Sequence, residues 1–159
     1  MKKVIVVEKT QERINARKFS NSDFIHKNQV GYVNQILLNQ NFECKGALTE
    51  ELCKKLSSYK QQDLSKNIYR ENDFIKKDEL IDKLVCSRLV CHYCGKKLNV
   101  VYSNCYDKTQ WTLDRIDNEQ GHNTDNVIIA CLGCNLKRRR LDKDKFLFSQ
   151  RMTIVKLDT

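Results

Sequence analysis

The sequence has no proline and only five glycines in 159 residues. That excludes collagen-like repeats and proline- or glycine-rich low-complexity structure. No run of eighteen apolar residues occurs, so no stretch qualifies as a membrane-spanning helix. The apolar run Val4-Ile5-Val6-Val7 is too short for the core of a secretion signal, and no cleavage site follows it. The expectation is a soluble, intracellular protein. Acidic residues are also in deficit: 20 Asp and Glu against 29 Lys and Arg, for a net charge of +9.

What is present fits a folded chain. Hydrophobic residues at 40% and charged residues at 31% allow a modest core and argue against disorder. The basic surplus attracts polyanions, nucleic acid first and an anionic membrane second, while a merely soluble basic protein is the bland alternative. Sixteen basic and twelve acidic residues precede Cys86; thirteen and eight lie from Cys86 onward. The positive charge is therefore denser in the shorter, C-terminal part.

Of the eight cysteines, four form two C-x-x-C pairs, Cys91 with Cys94 and Cys131 with Cys134. Two residues between ligands let a tight knuckle aim both sulfurs at one ion, and two knuckles complete a tetrahedron. Without a secretion signal, this spacing reads as a structural Zn²⁺ site rather than a disulfide framework. Cys44, Cys53, Cys86 and Cys105 stand singly and read as ordinary thiols, with Cys86 and Cys105 near enough in sequence to serve as substitute ligands.

Periodicity gives a coarse map. Lys3 to Glu8 reads as a short strand. Val30, Val33, Ile36 and Leu37 fall at helical spacing between Asn28 and Leu38. A second helix is expected to start at Thr49 as its cap, with Glu50 and Glu51 at its positive end and Leu52, Leu56 and Tyr59 as its stripe. The polar stretch from Lys60 to Asp73 shows little periodicity. A third helix is expected from Asp78 to Ser87. Beyond it come strands at Leu98–Tyr102, Gln110–Ile116 and Asn126–Ala130, a polar loop from Asp117 to Asp125, and a basic helix from about Asn135. The expected fold class is α+β: residues 1–77 a mostly helical region of unknown role, and residues 78–159 a zinc-bound ββα unit.

From Cys91 to about Arg140, roughly a third of the chain, the sequence resembles the HNH endonucleases, the zinc-containing branch of the ββα-metal nucleases. The resemblance rests on Trp111-Thr-Leu-Asp114-Arg115-Ile116-Asp117, then Gly121-His122, then Asp125-Asn126, and the second cysteine pair followed by Asn135. Residues 78–147 are also similar to small HNH proteins of large DNA viruses and phages; a viral source would place the protein in the host cytoplasm or nucleus. The resemblance implies a DNA endonuclease. In it Asp114 and Asn135 hold a catalytic Mg²⁺ or Mn²⁺, and Asn126 braces the intervening loop. A hard cation of this kind takes oxygen ligands and keeps several waters, so two protein ligands suffice.

Arg115 stands where members of the family usually carry the water-activating histidine, although variants with Asp-Arg-Ile-Asp, as at residues 114–117 here, occur within the resembling families. Arginine keeps its proton and instead clamps phosphate. His122, in the loop, is then the candidate base or third metal ligand, against the alternative of a loop histidine bonded to backbone. Asp117 is a second candidate carboxylate. Lys137, Arg138, Arg139 and Arg140 open a basic run on the expected helix and are candidates for DNA phosphate contact, with nuclear import and simple solvation as alternatives. Arg115 also keeps open a non-cleaving HNH-like module that binds DNA or a transcription or replication assembly.

Overall fold

The computed structural model describes residues 18–153; the strand expected at Lys3–Glu8 lies outside them. A 3₁₀ turn at Asn21–Phe24 leads into α1 (His26–Leu37), α2 (Lys45–Ser65) and α3 (Lys77–Cys86). A two-stranded antiparallel sheet follows, β1 (Trp111–Arg115) and β2 (Val127–Cys131), then α4 (Leu132–Arg138) and α5 (Lys143–Arg151). The mixed α and β character matches expectation. No described helix is long and apolar enough to cross a membrane.

Helix α2 is longer than its apolar stripe suggested. It starts at Lys45 with Cys44 as its N-cap, so Thr49 is interior rather than capping. The extra turn is stabilised by Leu48, fully buried four residues before Leu52. At the other end α2 runs through Ser65 because Asp63, four residues after Tyr59, is also buried. A carboxylate breaks an apolar count, yet here it occupies the same face.

The segment from Leu98 to Tyr102 is not a named strand; among the described residues Asn99 makes only an isolated bridge to Gln110. Leu98 and Asn99 bond to the backbone of Leu89, Thr109 and Trp111, while Val100 and Val101 are satisfied by a side chain instead. The fully buried Gln29 accepts from the amides of Val100 and Val101 at 2.7 and 3.0 Å and donates to the Val101 carbonyl at 3.2 Å. One amide side chain thus does what a neighbouring strand would do.

In the hairpin Leu113 faces Ile129 and Asp114 faces Ile128. The outward backbone of β1 is closed by side chains. Lys55 donates to the Trp111 carbonyl, the Leu113 amide donates to the Tyr59 hydroxyl at 3.1 Å, Asn135 reaches the Leu113 carbonyl at 3.3 Å and Arg138 the Arg115 carbonyl at 2.8 Å. Lys55 also lies 4.6 Å from the centre of the Trp111 ring, and burial pulls its ammonium down to about 7. One buried apolar cluster runs from Val33 and Leu48 through Trp111 and Leu113 to Phe146.

Candidate metal and nucleic-acid site

Cys131 ends β2 and is the N-cap of α4, its Sγ accepting from the Cys134 amide at 3.3 Å. The Cys131 amide in turn donates to Cys91 Sγ at 3.3 Å. Hairpin, helix start and first knuckle therefore converge on the sulfurs. The ligand atoms of Cys91, Cys94, Cys131 and Cys134 all lie within 4.8 Å of one another, with Cys94 and Cys131 Sγ 3.9 Å apart. A tetrahedron with bonds of ~2.3 Å has edges of about 3.8 Å, so the cluster fits one zinc ion. Four crowded thiols disagree over protons: hydrogen bonding led by Cys131 pulls Cys91 down to about 4, while burial pushes Cys134 up to about 12. A divalent cation relieves that conflict by replacing all the protons. Cys86 and Cys105 are exposed free thiols outside this group.

The oxygen ligands expected for a catalytic ion are placed differently. Asp114 is 4% exposed, and Arg138 Nη1 meets both of its oxygens at 2.9 Å. The Tyr93 hydroxyl donates to Asp114 Oδ2 at 2.5 Å. Burial raises the Asp114 carboxyl above its usual range, while Tyr93 and Arg138 pull it back. Asn135 turns its Nδ2 to Thr112 Oγ1 at 3.1 Å and to the Leu113 carbonyl. As placed, Asp114 does not fit a catalytic Mg²⁺ or Mn²⁺, because its carboxylate is filled by Tyr93 and Arg138.

Arg138 is therefore turned inward. It is 1% exposed and also caps the Arg115 and Ile116 carbonyls, so it is not offered to DNA phosphates. The basic run is also not one helix. Helix α4 stops at Arg138, Arg139 takes a positive φ of 50°, and Asp142 caps the separate α5 by accepting from the Asp144 and Lys145 amides. Lys137, Arg139 and Arg140 are exposed.

Arg115 donates to the Asn118 and Gln120 carbonyls at 3.2 and 3.1 Å and so braces the loop. Asn126 braces the same loop, as expected: its amide donates to the Asp117 and Gly121 carbonyls, and its oxygen accepts from the Asp117 amide. Asp117 accepts from the Glu119 amide and the Gln120 side chain, which hold its carboxyl below the usual range.

His122 is 3% exposed and is gripped by Asp63, which reaches its Nδ1 at 2.7 Å and accepts from its amide at 2.6 Å. Its ring lies 4.5 Å from that of Tyr59. Gly121 makes this possible by being small: a Cβ there would meet Asp63 Oδ2 at 2.8 Å and the Ile68 carbonyl at 2.9 Å. Burial lowers the His122 pKa despite Asp63, so the ring is neutral at pH 7. A histidine held below its unfolded pKa of ~6.5 stabilises fully above that pH and loses the contribution as pH falls toward the folded value. Acidification from neutrality should thus lower the melting temperature of the wild type more than that of His122→Gln. Equal acid sensitivity in parallel melts would contradict the assignment.

Asp63, Tyr93 and Lys55 were not legible as site residues, because each meets its partner across more than twenty residues of chain. No family model matches this chain, and no curated protein or solved structure matches it.

Proposed function

We propose that the chain binds DNA through its zinc-stabilised hairpin and the basic end of α4, and holds it without cutting in the conformation described. The observation that carries the non-cleaving reading is the closure of Asp114 beneath Arg138 and Tyr93. The net charge of +9 and the exposed Lys137, Arg139 and Arg140 support the choice of a polyanion. The order of strand, braced loop, strand and helix around four cysteines supports an HNH-like build. When bound, zinc supplies a cross-link between β2, α4 and the first knuckle rather than chemistry.

A metal-dependent endonuclease is the second reading, favoured by the Asp63–His122 pair. Asp63 engages Nδ1, and Nε2 has no hydrogen-bond partner among the described residues. This is how a general base is oriented. The deciding experiment combines duplex binding with a supercoiled-plasmid nicking assay in Mg²⁺ and in Mn²⁺. Salt-sensitive binding without nicks is the expected result. Metal-dependent nicks, reduced about 10²–10⁴-fold in His122→Ala with binding retained, would instead establish the enzyme.

A further inference from the structure

A cleft of about 1110 Å³ opens beside the cysteine cluster. Cationic side chains line it from three separate segments, and no carboxylate does. Arg138 is spent on Asp114, but Lys96, Lys108, Lys137, Arg139 and Arg140 are exposed and make no ion pair among the described residues. Zinc held by four thiolates carries a net charge of about −2, so part of this charge balances the cluster and roughly +3 remains. Leu136 and Leu141, 52% and 57% exposed, stand among the cations.

The backbone that carries the first two lysines is fixed. The Lys96 carbonyl accepts from the Cys91 amide at 2.8 Å and closes the first knuckle, with Gly95 at a φ of 67°. The Lys108 carbonyl accepts from the Gly133 amide at 3.0 Å, in the first turn of α4. Positive charge is therefore held open by the same turns that present the cysteines. A single phosphate needs donors converging on one point; five cations contributed by three separate segments to a cleft of this volume suit a chain of phosphates instead.

We propose that this cleft seats a nucleic-acid backbone, with Lys96 and Lys108 joining Lys137, Arg139 and Arg140 on successive phosphates and the two leucines against sugar. The proposal rests on the DNA-binding reading above and adds two residues that the basic run does not contain. It does not depend on cleavage.

The test is a salt titration of duplex DNA binding by the zinc-loaded full chain, followed by fluorescence anisotropy without added Mg²⁺. Each phosphate contact contributes about 0.9 to the slope of log affinity against log salt. Lys96→Ala with Lys108→Ala should flatten the slope by about two units and weaken binding at least ~10-fold at ~0.1 M salt. The control pair Lys27→Ala with Lys77→Ala removes the same charge from exposed positions outside the cleft and should change the slope far less. An unchanged slope in the cleft pair, or an equal change in both pairs, overturns the cleft while leaving DNA binding standing. Wild-type protein that does not bind duplex DNA overturns both. Polyglutamate competing as well as DNA would also reject the assignment, by showing a site for acidic chains in general. Melting curves of both double variants, expected to match the wild type, establish that the fold is retained.

Discussion

Removing zinc is expected to unfold the hairpin and α4 together, not to loosen a loop. Cys131 closes β2, caps α4 and donates its amide to Cys91, so one ligand anchors three pieces of backbone. Structural zinc contributes an apparent ~10–16 kcal/mol in small zinc-folded units, comparable to or larger than the ~5–15 kcal/mol net stability of a whole domain. Chelation under reducing conditions should abolish protection of the β1 and β2 amides in hydrogen exchange. Cys131→Ser should do the same at ordinary zinc concentrations. A preparation with well under one zinc per chain and an unchanged melting curve would refute the assignment.

Asp114→Ala should be the most costly single substitution away from the cysteines, by about 3–5 kcal/mol in urea unfolding, because it strands a buried guanidinium. Among the described residues Arg138 makes no other ion pair, and its remaining bonds go to carbonyls. Tyr93 would lose its acceptor as well. The paired replacement Asp114→Leu with Arg138→Met removes both charges, and double replacements of this kind are often neutral or stabilising. It should therefore recover most of the loss. A single substitution costing under ~1 kcal/mol would show that the pair is not buried as described. Lost cleavage in Asp114→Ala would not by itself establish metal chemistry, since the same change destabilises the fold around the site.

The cysteine arrangement and the order of strands and helix around it were legible because a knuckle and a β-alternation are local patterns. Helices α1 and α3 were legible for the same reason, through apolar spacing alone. Helix α2 was misjudged at both ends: Leu48 extends its stripe backward, and Asp63 extends it forward as a polar residue in an apolar place. The strand expected at Leu98–Tyr102 does not form because its pairing ends at Asn99 and Gln29, seventy residues earlier, takes the hydrogen bonds of Val100 and Val101. Helix α5 was missed inside a basic run whose break, Arg139, has no glycine to mark it. The roles implied for Asp114 and Arg138 turned on their mutual contact, and nothing in a single sequence pairs residue 114 with residue 138.

The closed edges of the hairpin bear on how this protein can assemble with others. Side chains of α2 and α4 occupy the outward groups of β1. On the far side, the His92 amide donates to the Ile129 carbonyl and the Cys131 amide to Cys91. A five-residue strand left open would be a template for strand addition by a neighbouring chain. Here these bonds already occupy part of both borders, so a strand added at either would have to displace them. On β2 the edge is held through Cys91 and Cys131, two of the four clustered cysteines, so the state of that cluster bears directly on how well the edge is covered.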